Sequence, residues 1–366
     1  MRVLVVNAGS SSLKLRLLDA TDGVAAHADV DPWDGADERP IAEFAARAGR
    51  VDALGHRIVH GGAEFTGPVR IDAGVRHRIA ALTDLAPLHQ PRALAAVDAA
   101  GAALPGTTAV ACFDTAFHAA LPDAATTYAI PADWRRRWGL RRYGFHGLSH
   151  AYACRRAAEL VRAAPEDLRV VSCHLGAGAS LAAVRGGRPM DTTMGFTPLE
   201  GLVMATRSGT VDPGLVLWLV ERAGLPAGVV SAALERDSGL AGLSGRPGGD
   251  LRAIRAAARD GDPDARLAIA VYTHRLRQQI AGMCAAMGGM DVLVFTGGVG
   301  EHDARLRRQA VDGLGFLGVE VDPDRNRAAR GDTEVGAAGA PVRAAVVTAR
   351  EDVEIARQTR SVLSGR

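Results

Sequence analysis

Residues 1–18, MRVLVVNAGSSSLKLRLL, predict two strands joined by a tight turn. Val3–Val6 is a short, apolar, β-branched run typical of a buried strand, and Leu13–Leu18 restores the alternation of a second strand. The turn at 7–12, Asn-Ala-Gly-Ser-Ser-Ser, presents small side chains, backbone N–H groups and hydroxyls that an anion can approach closely. Lys14 adds a compact ammonium that can follow a moving phosphoryl group. The stretch therefore predicts a phosphate-binding hairpin.

The composition of the chain draws attention to the same turn. Lys14 is the only lysine, the other forty-two basic residues are arginines, and Asn7 is one of two asparagines. For an isolated Gly-Ser turn, an ordinary hairpin with a leftover lysine would be the better interpretation. A second copy of the pattern favours the phosphate-binding interpretation.

That second copy lies at 169–185, where an apolar strand, a Gly/Ala/Ser turn and another strand follow one another. A third glycine turn, Gly-Gly-Val-Gly, follows the apolar strand at 291–296 and suits close backbone approach to a nucleotide. We therefore expect an internally duplicated α/β fold, a ribonuclease-H-like domain used twice around a nucleotide cleft, similar to the actin, hexokinase and Hsp70 superfamily. The expected domains are 1–147, completed by a C-terminal helix at 351–366, and 148–350.

Length and composition bound the class of protein. A chain of 366 residues exceeds one core, and 48% hydrophobic with 23% charged residues is typical of a globular protein. A net charge of +2 offers no electrostatic footprint for nucleic acid or an anionic membrane, and no apolar run reaches the roughly 18 residues that span a bilayer. We expect a cytoplasmic protein without either partner. Four scattered cysteines predict buried free thiols.

Several elements and chemically able residues can be placed from the pattern. Arg57 should lie near the end of a strand at 52–59, and Asp114 directly follows a strand at 108–113, where α/β folds keep their ligands. A surface ion pair and a helix cap are the alternatives for these two residues. His146, between two glycines, is hard to explain by core packing. Helices are predicted over 41–48, 71–82, 92–100, 152–163, 214–223, 250–259, 264–287 and 303–314 and from 351, and loops over 190–213 and 237–245.

Seven motifs give the chain its resemblance to the acetate kinase family, over essentially its full length. They are Asn-Ala-Gly-Ser-Ser-Ser-Leu-Lys (7–14), Gly-His-Arg-Ile-Val-His-Gly-Gly (55–62), Leu-Ala-Pro-Leu-His (85–89), Phe-Asp-Thr-Ala-Phe-His (113–118), Tyr-Gly-Phe-His-Gly-Leu-Ser-His (143–150), Asp-Thr-Thr-Met-Gly-Phe-Thr-Pro-Leu-Glu-Gly (191–201) and Thr-Arg-Ser-Gly (206–209).

The resemblance implies a homodimer and a phosphotransferase that moves the γ-phosphoryl group of ATP to acetate, with Mg²⁺ or Mn²⁺. It implies catalysis by Asp114, His146 and Arg207, and a metal site at Asn7 and Glu351. Arg57 would bind the substrate carboxylate, beside an apolar pocket of Val59, Leu88 and Pro198. The implied nucleotide-binding residues are Ser10, Ser12, Lys14, His174, Leu175, Gly176, Ala177, Gly178, Asp250, Leu251, Arg252, Gly297, Gly298, Val299, Gly300 and Glu301.

This chemistry suits the residue types. Because a carboxylate is already ionised at neutral pH, its attack on a phosphoryl group needs no strong base but does need charge cancellation between two anions. Arginines and a metal ion supply that cancellation. Closure of the domains over the cleft would exclude water and suppress ATP hydrolysis.

The chain departs from the family pattern at three positions. Ala177 and His302 each replace an asparagine of a phosphate turn, and Arg350 replaces the asparagine before the acids at 351–352. These replacements remove hydrogen bonds to the nucleotide, which allows weaker ATP binding or a different phosphoryl donor. The alternative is that the chain has lost asparagine generally, with no change in the donor. A propionate kinase and a non-catalytic nucleotide-binding protein are the alternative functions. The presence of Val59, rather than a smaller residue, favours acetate.

Overall fold

The computed structural model of the protein describes residues 1–9 and 12–365. Its strands are β1 (Val3–Ala8), β2 (Leu13–Leu18), β3 (Val24–Val30), β4 (Ala53–Ile58), β5 (Val69–Arg70), β6 (Ala109–Phe113), β7 (Arg169–Leu175), β8 (Ala179–Arg185), β9 (Arg188–Thr192), β10 (Val292–Thr296), β11 (Thr333–Glu334) and β12 (Arg343–Val346). Its helices are α1 (Arg39–Ala48), α2 (Ala73–Ala81), α3 (Gln90–Ala103), α4 (Asp123–Thr126), α5 (Ala132–Trp138), α6 (Gly147–Val161), α7 (Pro213–Glu221), α8 (Ala227–Arg236), α9 (Gly239–Ser244), α10 (Leu251–Arg259), α11 (Pro263–Ala286), α12 (Gly297–His302), α13 (Ala304–Val311), α14 (Pro323–Ala328) and α15 (Glu351–Leu363).

The chain divides into two compact units. Unit 1 consists of Met1–Ala119, Phe145–Tyr152 and Arg350–Arg366, and unit 2 of Ala120–Gly144 and Ala153–Ala349. Residues 120–144 group with unit 2, whereas the sequence places them in the N-terminal domain. The domain boundaries given above stay a prediction.

The two units contain sheets of the same topology. Unit 1 has the strand order β3-β2-β1-β4-β6-β5, and unit 2 has β9-β8-β7-β10-β12-β11. In each sheet the first three strands of the unit form an antiparallel meander, and two later strands join it in parallel, β4 and β6 in unit 1 and β10 and β12 in unit 2. The antiparallel strand pairs β1–β2 and β7–β8 are therefore equivalent elements. The predicted α/β fold with an internal duplication is confirmed.

The alternation of side chains along β1 explains how the unit 1 sheet is covered on both faces. Leu4 and Val6 are fully buried in a cluster with residues of α1 and α3. Val3 and Val5 point to the opposite face and pack with Val353 and other residues of α15. Because successive side chains of a strand face opposite sides, a continuous apolar run is what a sheet covered by helices on both faces requires.

Three segments differ from the sequence expectations. Helix α6 begins at Gly147 rather than near 152, so the glycine-rich motif at 143–150 runs directly into a helix. The glycines of the third turn form a short helix of their own, α12, before α13. The predicted loop at 237–245 contains α9. Glycine is a poor helix former, which explains why the pattern indicated loops at these places.

Within the described residues, no helix combines the length and the apolar character that crossing a lipid bilayer would require.

Candidate active site

Four polar side chains from distant parts of the sequence meet in unit 1. Asn7 lies on β1, Arg57 on β4, Asp114 directly after β6, and Glu351 at the first position of α15. Strands β1, β4 and β6 are parallel neighbours, so their carboxyl ends lie at one edge of the sheet. We call Asn7, Arg57, Asp114 and Glu351 the unit 1 cluster. It brings together the two residues predicted to bind the metal, one residue predicted to be catalytic and the arginine predicted to bind the substrate carboxylate.

Arg57 is the centre of the unit 1 cluster. Its Nη2 atom lies 2.6 Å from Oδ2 of Asp114, and its Nε donates to the same carboxylate at 3.1 Å. Its Nη1 donates to Oδ1 of Asn7 at 3.3 Å, and its Nε lies 3.9 Å from Oε2 of Glu351. A planar guanidinium matches a carboxylate in this two-point geometry, which fixes its orientation.

Burial and charge act on the two ionised partners differently. The side chain of Arg57 is 14% exposed and that of Asp114 only 1%. Burial lowers the pKa of Arg57, but the negative charges of Asp114 and Glu351 outweigh the effect of burial. The pKa of Arg57 is therefore raised above its ordinary value. Burial raises the pKa of Asp114 to about 6, although Arg57 acts in the opposite direction, and repulsion from Glu351 adds to the rise. The difference arises because Arg57 faces two carboxylates, whereas Asp114 faces one cation.

The donor atoms of the cluster suit a hard divalent cation. Asn7 donates from Nδ2 to Oε2 of Glu351 at 3.1 Å, which places an amide group beside a carboxylate. Mg²⁺ prefers oxygen ligands and is usually held by one or two carboxylates together with water and substrate phosphates. Residues 1–9 and 12–365 contain no group of three His, Cys, Asp or Glu side chains arranged to hold a metal by themselves. Asn7 and Glu351 therefore fit a metal that the substrate helps to bind.

The start of α6 is built onto the backbone of Asp114. Gly147 donates its N–H to the carbonyl oxygen of Asp114 at 2.9 Å, and a Cβ on Gly147 would lie 2.2 Å from that oxygen. Only glycine fits at this close approach. The preceding residue, His146, has a φ of +56°, a left-handed conformation that is uncommon for a residue with a side chain and is often found at functional sites.

The two apolar residues predicted to contact the substrate in unit 1 differ in exposure. Val59, one residue beyond β4, is 4% exposed, whereas Leu88 is 45% exposed. Val59 thus lies at the same end of β4 as Arg57. The exposed Leu88 offers an apolar side chain that a bound ligand could cover.

Unit 2 holds the remaining predicted catalytic residue in its irregular segment at 193–212. Arg207 donates from Nη1 to the carbonyl oxygen of Pro198 at 3.3 Å, so the structure brings these two predicted residues together. Burial lowers the pKa of Arg207, and Glu235 acts against the shift. In the part of the chain that the structure describes, Arg207 makes no ion pair within 4 Å. A mostly buried guanidinium without a counter-ion is suited to binding an anionic ligand.

A cavity with a volume of about 650 Å³ lies in unit 2. This falls within the roughly 300–1,000 Å³ typical of small-molecule sites. Seven of the predicted nucleotide-binding residues line it: Gly176, Ala177, Asp250, Leu251, Arg252, Gly298 and Val299. The turn after β7, the start of α10 and α12 therefore meet around one cavity, which we call the unit 2 cavity.

The other predicted nucleotide-binding residues do not line the unit 2 cavity. His174, Leu175, Gly178, Gly297, Gly300 and Glu301 belong to unit 2 but lie outside the lining. Glu301 instead accepts a hydrogen bond from the N–H of Ala349 at 2.9 Å. Ser12 and Lys14 belong to unit 1, and Ser10 lies outside the described residues. Their roles stay predictions.

His302, noted above as a departure in a phosphate turn, also lines the cavity. Sequence reasoning missed eight other residues of the lining: Ala205, Leu240, Gly248, Gly249, Arg255, Arg259, Tyr272 and Asp303. The pair Gly248-Gly249 before Asp250 was an available signal. Gly249 has a φ of +63°, and a Cβ there would lie 2.1 Å from the carbonyl oxygen of Ala205. Arg255 and Arg259 follow Arg252 at helical spacing, so they share its side of α10.

Comparison with known proteins agrees with this geometry. The acetokinase family profile matches residues 38–357. An acetate kinase of Deinococcus deserti is 45% identical over 393 aligned residues, which cover 100% of this chain and 98% of that protein. The crystal structure of Porphyromonas gingivalis acetate kinase superposes with a TM-score of 0.92 at 36% identity, and that of a propionate kinase from Francisella tularensis with 0.90 at 32%. Each alignment covers 99% of both chains. The chain belongs to the acetokinase family of phosphotransferases.

Proposed function

We propose that the chain transfers the γ-phosphoryl group of ATP to the carboxylate of acetate, giving acetyl phosphate and ADP, and catalyses the reverse reaction. The observation that carries this proposal is the unit 1 cluster, in which a buried arginine lies at the end of β4 beside two carboxylates and an amide. Membership of the acetokinase family and the acetate kinases among its relatives support the choice of reaction.

The proposed chemistry follows from the charges. The acetate oxygen attacks the γ-phosphorus, the bond from phosphorus to the ADP oxygen breaks, and ADP leaves with that electron pair. Because acetate is ionised at neutral pH, no general base is needed. Arg57 would bind and orient the carboxylate, with the buried Val59 beside it. Asp114 would hold Arg57 in place rather than accept a proton.

Arg207 and His146 would act on the transferring phosphoryl group. Arg207 has no counter-ion among the residues that the structure describes, so its charge can stabilise the equatorial oxygens, a contribution worth roughly 10³–10⁵ in rate for arginines at phosphoryl groups. His146, which has a left-handed backbone directly before Gly147, would donate a hydrogen bond to the phosphoryl group. Asn7 and Glu351 would hold Mg²⁺, which supplies charge neutralisation of the phosphates when bound.

The unit 2 cavity supports ATP as the phosphoryl donor. The N–H of Gly176 donates to the carbonyl oxygen of Gly178, but the N–H of Ala177 and those at the start of α12 suit phosphates. Leu240, Leu251 and Tyr272 offer apolar surface to a base. The absence of asparagine at 177 and 302 leaves the affinity open.

The direct test is formation of acetyl phosphate from ATP, Mg²⁺ and acetate, trapped with hydroxylamine. We expect hydroxamate with the wild type and a loss of at least about 10³-fold in kcat with Arg207→Ala. Arg188→Ala, which removes an exposed arginine of β9, is the matched control and should retain full activity. If propionate or butyrate gave the higher kcat/KM, the acceptor would be a longer acid. No hydroxamate from any short acid would indicate a non-catalytic nucleotide-binding protein.

We also propose that the protein is a homodimer. Helix α7 buries none of its side chains, although Leu215, Leu217 and Trp218 expose 47%, 57% and 56% of their surface, and Val229 on α8 exposes 53%. Several large exposed apolar side chains on two helices that contact each other are typical of protein–protein interfaces. Light scattering should give twice the mass of the 38.1 kDa chain, and Leu217→Asp with Trp218→Asp should give the monomer mass.

The domain boundaries and the cytoplasmic location expected from the sequence also stay proposals. Limited proteolysis tests the former, and cell fractionation the latter.

A further inference from the structure

A groove lined by arginines lies next to the unit 2 cavity. It runs between α10, α11 and α13, has a volume of about 260 Å³, and is lined by Arg255, Arg259, Arg266, Arg305 and Gln309 together with two apolar residues. We call it the arginine groove. No carboxylate is among the residues that line it. Four guanidinium groups around one depression create a local positive potential that favours anions.

Most of the positive charge in the arginine groove is not neutralised by the protein. Arg255 is paired with Asp303 at 2.7 Å, but Arg259, Arg266 and Arg305 make no ion pair within residues 1–9 and 12–365. Arg259 donates from Nε to the carbonyl oxygen of Arg255 at 3.2 Å, and Arg266 donates from Nε to the carbonyl oxygen of Ala258 at 3.0 Å. Neither side chain makes another hydrogen bond within the described residues. Their terminal nitrogens are therefore available to a ligand.

Two buried polar atoms beside the groove lack a hydrogen-bond partner. Arg255 is only 8% exposed. Its Nε donates a hydrogen bond to Asp303 and its Nη1 donates one to Gln309, but its Nη2 has no hydrogen-bond partner. Thr273, 7% exposed, also leaves its hydroxyl unpaired. Thr273 lines a further depression of about 330 Å³ that continues the groove past Arg266 and Gln309. Because leaving buried polar groups unpaired is unfavourable, a ligand that supplies acceptor oxygens would be favoured.

We propose that the arginine groove is a second anion site, distinct from the nucleotide cavity, which binds a small anion of the diphosphate class. The arginine forks match phosphate oxygens in pairs, and three unpaired guanidinium groups call for a multiply charged ligand. The groove itself has a volume of about 260 Å³, below the roughly 300–1,000 Å³ of typical small-molecule sites, so a compact anion such as pyrophosphate suits it better than a nucleotide, which would have to extend into the neighbouring depression.

The site can be separated from the nucleotide cavity by the choice of variants. Arg255 and Arg259 line both the unit 2 cavity and the arginine groove, whereas Arg266 and Arg305 line the groove but not the unit 2 cavity. Arg275 on α11 and Arg308 on α13 are exposed arginines of the same two helices that line neither. Arg275→Gln with Arg308→Gln therefore removes the same charge as Arg266→Gln with Arg305→Gln, without touching the groove.

The experiment is calorimetric titration of the full chain with pyrophosphate, in saturating ADP and without Mg²⁺. We expect one pyrophosphate site per chain in the wild type. The Arg266→Gln/Arg305→Gln variant should bind pyrophosphate at least about tenfold more weakly, and the matched control should bind it with unchanged affinity. Ala258→Glu, which places a carboxylate in the groove, should abolish binding and serves as the second variant if the first fails to fold. Absence of binding to the ADP-saturated wild type, or wild-type affinity in both folded groove variants, would overturn the proposal.

Discussion

Arg57 and Asp114 form a buried ion pair across two neighbouring strands, with Nη2 of the arginine 2.6 Å from Oδ2 of the carboxylate. The pair lies where β4 and β6 end, and it orients the guanidinium that we propose binds the substrate. A buried pair of this kind adds little net stability over apolar residues, but removing one partner leaves the other charge buried and uncompensated.

Asp114→Ala should therefore destabilise the protein by about 3–5 kcal/mol, as measured by urea unfolding at pH 7. Asp133→Ala is the matched control, because Asp133 forms an ion pair with Arg136 on the surface, with both side chains more than 70% exposed. Such exposed pairs contribute about 0–1 kcal/mol. Equal losses in the two variants would contradict the role we give to burial.

Replacing Arg57 by lysine keeps the charge but loses the two-point geometry. We expect Arg57→Lys to raise the KM for acetate by about tenfold or more and to leave the KM for ATP within about twofold, since one hydrogen bond to a charged group is worth about 1.5–3 kcal/mol. Arg50→Lys, at an exposed ion pair with Asp52, should change neither constant. A rise in the KM for ATP alone would place Arg57 on the nucleotide instead.

Glu351 and Asp352 are adjacent acids that the structure gives different partners. Glu351 accepts from Asn7 in the unit 1 cluster, whereas Asp352 is paired with Arg350 at 2.9 Å. If Glu351 binds Mg²⁺, Glu351→Gln should raise the Mg²⁺ concentration for half-maximal activity by at least about tenfold, and Asp352→Asn should leave it unchanged. Steady-state kinetics across a Mg²⁺ series measures both, and the same Mg²⁺ requirement in both variants would contradict the assignment.

The sequence predicted the sheet and its strand ends better than it predicted the unit 2 cavity. The sequence places Arg57 near the end of one predicted strand and Asp114 directly after another, and because parallel strands end at one edge of a sheet, this placement favours their meeting. The sequence pattern alone did not place Glu351 near Arg57 and Asp114, and its role was predicted only from the resemblance to the acetate kinase family. By contrast, Tyr272 comes from the middle of α11, where helical periodicity indicates a core position and nothing distinguishes a wall of a cavity from ordinary packing.

Ala177 and His302 both line the unit 2 cavity, so the two departures from the family pattern lie where a donor would bind. Ala177→Asn with His302→Asn restores two side-chain amides that can hydrogen-bond a nucleotide. A net hydrogen bond contributes about 0.5–1.5 kcal/mol, so each should lower the Kd for ATP about two- to tenfold, measurable by calorimetry. Ala205→Ser adds a small polar group to the same cavity and is the control. Unchanged ATP affinity in the double variant would show that Ala177 and His302 do not weaken ATP binding.

A buried histidine should make the stability of the protein sensitive to acid. His56 on β4 is 1% exposed, and neither ring nitrogen has a hydrogen-bond partner in the described part of the chain. Burial lowers its pKa to about 4, and Asp98 opposes the shift only weakly. Because the folded-state pKa lies below the ordinary value of 6.5, the neutral ring favours folding above pH 6.5, and this contribution is lost as the pH falls toward 4.

Urea unfolding of the wild type at pH 7.5 and pH 5 should therefore show a loss of about 2 kcal/mol from His56 alone. His56→Leu removes the titrating group, so its unfolding free energy should fall by about 2 kcal/mol less than that of the wild type over the same range. Asp114, with its raised pKa, acts in the opposite sense by losing stability as the pH rises from about 4 to 6, but it is present in both proteins and cancels. His27→Leu, on the exposed strand β3, should reproduce the pH dependence of the wild type. If His56→Leu also did so, the buried ring would have to be charged in the folded protein.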